Sequence, residues 1–154
     1  MPNRRQATVM FTDVVGFTLI MERSETEAMR IYSRNMEIVR KLVSSSGGSL
    51  VKEMGDGTLS VFTSSPAAVT SAVKIQKQLE NENFRIRIGI HSGSVLFEGN
   101  DIFGDTVNVA SRLEKKSPAG GILISREVLS HYGEKKQPDT INLGLTRLKG
   151  LGRL

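Results

Sequence analysis

A tight, glycine-flanked turn between two short strand-like segments is the feature that most constrains the fold of this sequence. Residues 49–53 and 58–62 have the pattern of strands, and Met54-Gly55-Asp56-Gly57 links them. Glycine-containing links of this length favour a β-hairpin. The chain is therefore predicted to contain an antiparallel strand pair with an aspartate at its tip, and the remaining elements must pack around that pair.

Amphipathic helices are predicted on both sides of the hairpin. Ser24 and Glu27 have the spacing of a capping box, apolar residues follow at helical intervals, and Gly47-Gly48 ends the pattern. After the hairpin, Pro66 stands where the first turn of a helix tolerates proline, and an apolar stripe continues to Leu79. The hairpin thus lies between two helices in the chain.

One strand before the first helix and one strand after the second helix complete a recognisable order of elements. Residues 7–12 form a predicted strand that ends at Asp13, and residues 85–90 alternate strictly, as a strand with one solvated face does. The order strand–helix–strand–strand–helix–strand predicts an α+β, ferredoxin-like (split βαβ) sheet, rich in antiparallel pairs, with helices packed on one face. The remaining segments are predicted as a strand at 94–97 beside 85–90, a helix at 107–116, a strand at 122–124, a helix at 126–131, and weak strands at 140–143 and 146–149.

Length and composition indicate one globular domain over residues 1–154. The chain is 38% hydrophobic and 24% charged. The absence of cysteine excludes a disulfide scaffold, a thiolate metal site and a cysteine nucleophile. No apolar run reaches the roughly 18 residues of a membrane span, so we expect a cytoplasmic domain with no membrane contact of its own. The net charge of +5 suits an anionic ligand, whether nucleotide, nucleic acid or lipid headgroup.

Two aspartates are candidate metal ligands. Asp13 ends the first strand and Asp56 lies at the hairpin tip, and a ferredoxin-like sheet places these strands side by side, so we expect the carboxylates to meet at one edge. Paired carboxylates without histidine or cysteine favour Mg²⁺ or Mn²⁺. Two such ions about 3.5–4 Å apart suit in-line phosphoryl transfer. Each aspartate alone is more often a turn residue or a helix cap.

Other polar residues have positions that suit a phosphate. Phe17 and Thr18, after Gly16, are candidate substrate-binding residues because a turn or helix start there would point backbone N–H groups at a phosphate. Asn108 and Arg112 lie one helical turn apart, opposite the apolar side of their helix, where a fixed arginine would stabilise charge on a phosphoryl group. An ordinary turn and a solvated helix face would have the same patterns.

Lys52 and Asp101 form a candidate base-reading pair, if folding brings them together. Lysine donates and carboxylate accepts hydrogen bonds, which matches the N1 acceptor and N6 donor of adenine, whereas guanine presents the reverse. A strand residue exposed to solvent and a loop acid would look the same in the sequence. The two histidines, His91 and His131, are expected to be structural and exposed respectively, and neither is assigned a role.

Taken together, these residues resemble the catalytic domain of class III nucleotidyl cyclases, the adenylyl and guanylyl cyclases, and specifically the adenylyl type. The resemblance rests on three segments in the family's order and spacing, residues 11–18, 52–57 and 104–114. Each segment alone is weak. Their combination is specific, and it covers nearly the whole chain.

The resemblance implies a metal site and a base-reading site. Asp13, Asp56 and the carbonyl of Val14 correspond to ligands of two Mg²⁺ or Mn²⁺ ions per site. Lys52 and Asp101 are similar to the pair that selects adenine, at positions where guanylyl cyclases carry Glu and Cys.

The resemblance also implies roles at the phosphate end of the substrate. Asn108 is similar to the residue that positions the ribose, and Arg112 to the arginine that stabilises the transition state. Lys149 corresponds to a lysine that contacts the terminal phosphates. Asp105 is expected to support its loop without touching the substrate.

The implied reaction converts ATP to 3′,5′-cyclic AMP and pyrophosphate by in-line attack of the ribose 3′-oxygen on the α-phosphate. The family further implies a head-to-tail homodimer, in which one subunit supplies the metal ligands and the other supplies the adenine pair, Asn108 and Arg112. The short segment 94–104 implies a reduced dimerisation arm. The ends of the sequence, compared with the family pattern, imply a catalytic domain cut from a longer protein.

Three other interpretations are weaker. A cyclase-like regulatory domain that binds nucleotide without turnover would have lost a metal or transition-state residue, and none is lost. A diguanylate cyclase would carry a Gly-Gly-Asp/Glu-Glu-Phe hairpin where this chain has residues 54–57. An RNA-binding ferredoxin-like module needs exposed aromatic side chains on its central strands. Aromatic residues make up only 5% of the chain, so we expect no nucleic-acid partner.

Overall fold

The sheet is built around the first strand. A computed structural model describes residues 3–139, in which β1 (Asn3–Val14) lies between β3 (Gly57–Phe62) and β4 (Ile86–Glu98) and is antiparallel to both. β2 (Ser49–Met54) pairs with β3, and β5 (Asp101–Phe103) pairs with β4, which gives the order β2-β3-β1-β4-β5. The first four positions are the ferredoxin-like order, so the predicted α+β fold is confirmed.

β4 is one strand of 13 residues where the sequence predicts two. Residues 94–97 continue β4 and pair with residues 3–6 of β1, instead of forming a strand beside 85–90. The reason is that β1 is longer than predicted and that Gly93 takes no positive φ, so the chain does not turn there. The free edge of β4 is shared, because β6 (Ile122–Ile124) runs parallel to residues 88–90 while β5 pairs further along.

Helices cover both faces of the sheet, and the prediction of one covered face is wrong. On one face Met10, Ile88 and Ile90 pack with the apolar stripes of the two long helices. On the other face Val9 and Phe11 pack with the helix that follows β5. Side chains alternate along a strand, so the two central strands serve two cores at once. The helices are α1 (Phe17–Arg23), α2 (Glu25–Ser45), α3 (Ser65–Leu79), α4 (Asp105–Lys116) and α5 (Arg126–Ser130).

The helix boundaries follow the predicted signals, and the turn or helix start expected at Phe17 and Thr18 is the first turn of α1. The Ser24 side chain accepts a hydrogen bond from the Glu27 backbone N–H at 3.1 Å and caps α2. The Glu27 carboxylate instead bonds Arg30 and Asn83, so only half of the capping box is formed. The predicted strands at 140–143 and 146–149 lie outside the described residues, as does Lys149. No helix among residues 3–139 has the length and apolar character needed to cross a bilayer.

Gly89 sets the distance between α4 and the sheet. A Cβ atom at Gly89 would lie 2.2 Å from the backbone nitrogen of Glu114 and 2.6 Å from the carbonyl oxygen of Ala110. Both atoms belong to the backbone of α4, so a side chain there would push the whole helix away. The position of every residue on α4 relative to β1 therefore depends on the missing side chain.

We expect Gly89→Ala to lower the free energy of unfolding by about 1–3 kcal/mol, because it overpacks a rigid contact. Urea denaturation measures the change. Glu98→Ala, at the exposed end of the same strand, is the matched control and should unfold at the wild-type midpoint. A wild-type midpoint for Gly89→Ala would contradict the close contact with α4.

Candidate active site

The hairpin tip docks directly on the end of β1. A Cβ at Gly57 would lie 2.4 Å from the carbonyl oxygen of Thr12, so the backbones approach as closely as glycine permits. Buried Thr12 and Thr58 join their hydroxyls at 2.7 Å across the same pair of strands. Gly55 takes a φ of +61°, which lets the turn close in two residues. These contacts bring Asp56 to the last residues of β1.

The structure brings the two predicted aspartates together. Oδ2 of Asp56 accepts a hydrogen bond from the backbone N–H of Val14 at 3.1 Å, and the Asp13 carboxyl lies close enough to Asp56 for that residue to raise its pKa. Two carboxylates this close are stabilised by a proton or a cation between them.

Burial and neighbouring charge raise the pKa of Asp13 from 3.8 to about 7. Burial is the largest cause, the hydrogen bond and charge of Asp56 come next, and the charge of Glu114 acts in the same direction. Arg87, which lies opposite Asp13 in the β1–β4 ladder, lowers the pKa. Two like charges this close cannot both remain ionised cheaply without a cation.

Glu114 is a residue of this site that the sequence analysis missed as a candidate. Its side chain is buried, and burial raises its pKa, with Asp56 acting in the same direction and Lys115 and Arg87 opposing. Its Oε2 is buried without a hydrogen-bond partner among residues 3–139. The available signal was a glutamate one turn after Ala110, on the buried side of an amphipathic helix.

The donor set at the hairpin tip fits a magnesium-type ion. Among the described residues, no three His, Cys, Asp or Glu side chains form a ready-made cage for a metal. Mg²⁺ does not need such a cage, because it usually binds through one or two carboxylates and completes its shell with water and substrate phosphates. Asp13 and Asp56 supply that number of carboxylates.

Lys52 and Asp101 meet, as the base-reading prediction requires. Lys52 Nζ lies 3.0 Å from Oδ2 of Asp101. Oδ1 of Asp101 accepts a hydrogen bond from the backbone N–H of Ile102 at 2.7 Å, and this bond, followed by Lys52, lowers the pKa of Asp101. The two side chains remain 43% and 33% exposed. A ligand can therefore reach both groups.

Asn108 and Arg112 lie on α4, on the sheet face that carries Asp13. Asn108 is exposed, whereas Arg112 is half-buried. The Nη1 atom of Arg112 is buried and has no hydrogen-bond partner within residues 3–139. Its guanidinium therefore has a donor that is available to an anionic ligand.

The remaining candidates have simple positions. Phe17 and Thr18 form the first turn of α1, immediately after Gly16, which has a φ of +68°; Phe17 packs on the core and Thr18 is exposed. Asp105 is exposed in the first turn of α4.

The two histidines have the expected surroundings. His91 is buried, and its Nδ1 lies 2.7 Å from the Ser125 hydroxyl, while burial lowers its pKa. His131 is exposed, with Nδ1 2.8 Å from the Ser65 hydroxyl. Neither ring is among the groups that act on Asp13.

This arrangement of motifs has counterparts in known proteins. The family model of the adenylate and guanylate cyclase catalytic domain matches residues 1–154. The chain belongs to this family. The predicted resemblance to class III nucleotidyl cyclases is thereby confirmed.

Individual cyclases show how close the similarity is. An adenylate cyclase of Streptomyces coelicolor is 33% identical over 78% of this chain. An adenylate/guanylate cyclase/hydrolase structure from Silicibacter pomeroyi has a TM-score of 0.90 at 33% identity and covers 99% of this chain and 94% of its own. The catalytic core of a rhodopsin-guanylyl cyclase with converted specificity, in complex with ATPαS, has a TM-score of 0.89 at 30% identity over 100% of this chain and 95% of its own.

The curated cyclases are much longer than this chain. The chain spans 27%, 39% and 32% of the length of three of them. The similarity therefore concerns the cyclase catalytic domain and not the rest of those proteins.

We expect Asp13→Asn to stabilise the metal-free domain at pH 8. The raised pKa means that the folded state binds more protons than the unfolded state between about pH 4 and pH 7, so the free energy of unfolding falls as pH rises through that range. Asparagine removes the repulsion from Asp56 and Glu114 and should raise Tm by about 2–4 °C per kcal/mol relieved. It also removes the attraction of Arg87, which is the smallest of the named effects.

Differential scanning calorimetry in a chelator, at pH 4 and pH 8, measures this effect. The stabilisation should be present at pH 8 and absent at pH 4. Asp105→Asn, an exposed acid on α4, is the control and should show no such gain. A lower Tm for Asp13→Asn than for wild type at pH 8 would contradict the repulsion.

Proposed function

We propose that this domain is an adenylate cyclase, which converts ATP to 3′,5′-cyclic AMP and pyrophosphate at sites shared by two copies of the chain. The observation that carries the proposal is the direct contact of Asp13 and Asp56 at the hairpin tip. Like charges in a half-buried place are costly, and a divalent cation removes that cost. The same domain holds Lys52 and Asp101 as a donor–acceptor pair.

The proposed metal site uses oxygen atoms from two strands. Asp13 and Asp56 would hold two Mg²⁺ or Mn²⁺ ions together with the carbonyl of Val14. The Val14 N–H bonds Asp56, and the N–H and C=O of one strand residue point to the same side, which supports the carbonyl as a ligand. Bound there, the ions supply Lewis acidity for phosphoryl displacement and offset the charge of a triphosphate.

The remaining residues bind and orient the nucleotide. The ribose 3′-oxygen attacks the α-phosphorus in line, the hydroxyl proton passes to solvent water, and the bond from the α-phosphorus to the β-phosphate oxygen breaks to release pyrophosphate. Arg112 donates to the α-phosphoryl oxygens as charge grows there, a role supported by its unpartnered Nη1 within the described residues. Asn108 orients the ribose from the same helix face. Phe17 and Thr18 contribute backbone N–H groups of a first helical turn to the phosphates, and Lys149 binds the terminal phosphates.

Base selection is assigned to Lys52 and Asp101. Lysine donates to N1 of adenine, and the carboxylate accepts from the N6 amine. Guanine would set donor against donor at its N1 and acceptor against acceptor at its O6, and the unmatched groups would lose their hydrogen bonds. ATP is therefore the proposed substrate.

The proposed assembly is a head-to-tail homodimer. The Nη1 atom of Arg112 is buried and has no hydrogen-bond partner within the described residues, which supports a partner group supplied from outside this chain. Phe103, beside the base-reading pair on β5, leaves a large apolar side chain 47% exposed. Both observations suit a second chain that completes the site.

We further propose that residues 1–154 act in the cytoplasm, because ATP is the proposed substrate. We also propose that they are the catalytic module of a longer protein.

Incubation of the purified domain with ATP or GTP and each metal tests the proposal. Chromatography with mass spectrometry should identify cyclic AMP and pyrophosphate, with ATP preferred over GTP. Cyclic GMP as the main product would overturn the base assignment. Nucleotide binding without any cyclic product, in either metal, would support a regulatory cyclase-like domain instead.

We expect Asp13→Ala and Arg112→Ala each to lower kcat by about 10²–10³ and their mixture to regain activity. In an equal mixture half of the dimers are heterodimers with one intact site, so activity should return to about a quarter of wild type. Each variant mixed with itself is the control. A mixture no more active than its components would contradict sites shared between chains.

A further inference from the structure

β2 has one residue more than β3 within their paired segment, which makes a β-bulge. Leu50 pairs with Ser60 and Lys52 pairs with Leu59, so Val51 is the extra residue. A bulge of this kind turns two consecutive side chains to the same side of a sheet. Val51 packs with Leu59 in the core under α4, and Lys52 extends on that side to Asp101.

The place of the bulge decides which face Lys52 occupies. Glu53 pairs with Thr58, on the opposite face, which α2 covers. If the extra residue were Lys52 instead of Val51, Lys52 would also lie opposite Thr58 and would point towards α2. The ends of the hairpin could stay paired as they are, so only this local shift separates the two arrangements. With the bulge at Lys52, the Lys52 side chain cannot reach Asp101.

Two residues of α2 hold Glu53 on its own face. The Tyr32 hydroxyl donates to Oε1 of Glu53, and the Arg40 guanidinium donates to Oε2. Both carboxylate oxygens are therefore occupied, and the side chain is only 27% exposed. A cation is already present beside Glu53, so the α2 face offers Lys52 repulsion from Arg40 and no vacant acceptor on Glu53.

We propose that Tyr32 and Arg40 are positioning residues for base recognition: by occupying Glu53 they keep the bulge at Val51 and leave Lys52 to Asp101 and the adenine edge. This inference rests on the proposed function. Without Arg40, Glu53 keeps only the Tyr32 hydrogen bond and becomes a carboxylate without a cation. It lies next to Lys52 in the chain and competes with Asp101 for it. Half-exposed ion pairs differ little in energy, so one competing charge is enough to shift the balance.

The test compares kcat/KM for ATP and for GTP between the wild type and a set of variants. Arg40→Gln should lower the ATP-to-GTP ratio by about tenfold, the effect of losing one well-made hydrogen bond to the base. Glu53→Gln, which removes the competing charge, should keep the wild-type ratio. The double variant Arg40→Gln with Glu53→Gln should recover it. Arg34 lies on the same helix as Arg40, and Arg34→Gln, which breaks ion pairs to Glu37 and Glu82, is the matched control that should keep the ratio as well.

Recovery of the ATP-to-GTP ratio in the double variant distinguishes a positioning role from a general structural defect. Arg40 is 57% exposed, so Arg40→Gln should melt close to wild type. Tyr32→Phe should shift the ratio in the same direction by a smaller factor. Lys52→Glu with Asp101→Cys gives the reference value for lost adenine reading.

An unchanged ratio in Arg40→Gln, or an equal loss with both nucleotides that Glu53→Gln does not rescue, overturns the inference. These outcomes differ from failure of the proposed function. A wild-type domain that forms no cyclic nucleotide, or that does not prefer ATP, overturns the proposed function and the inference with it. A wild type that prefers ATP, with no response to Arg40→Gln, overturns the inference alone.

Discussion

The docking of the hairpin tip against the end of β1 is the contact on which the rest of the site depends. It needs a residue without a side chain at Gly57, since a Cβ there would strike the Thr12 carbonyl oxygen at 2.4 Å. It also needs a polar pair, Thr12 and Thr58, because two buried hydroxyls must satisfy each other. Once these conditions are met, Asp56 has no alternative to lying beside Asp13. The cost of that proximity is the physical sign that a cation belongs there.

A second constraint, the packing of α4 on the sheet, determines where Asn108 and Arg112 lie. The central strands bury side chains on both faces, so α4 packs on the face that carries Asp13 and not with α2 and α3. Gly89 lets α4 come close to the sheet. A close helix brings the Glu114 carboxyl within reach of the aspartates. It also buries the Nη1 atom of Arg112 without giving it a hydrogen-bond partner among residues 3–139.

Much of the fold and of the candidate site was predictable from the sequence, and the features that were not predictable have physical causes. The hairpin, α2 and α3 carry local signals, namely the glycine turn, the Ser24 cap and Pro66, that act over a few residues. The continuity of β4 through residue 98 was not predictable locally, because it depends on β1 reaching back to Asn3 to provide a partner. The same holds for α4, whose face depends on Gly89. The bulge at Val51 has no signature in the sequence, since it arises from the register of two strands fixed at both ends.

The two charged pairs of the site differ in their internal electrostatics: one pair is repulsive and the other is attractive. Asp13 and Asp56 repel each other and are half-buried, so they gain most when a cation arrives, and affinity should come from the metal–triphosphate end of the nucleotide. Lys52 and Asp101 already satisfy each other at 3.0 Å near solvent, so a base gains little by replacing that contact. In the proposed function, adenine would exchange this salt bridge for two hydrogen bonds, whereas guanine would place donor against donor and acceptor against acceptor. The proposed base-reading pair would therefore contribute discrimination more than affinity, and small shifts in the direction of Lys52 would act on substrate choice before they act on binding.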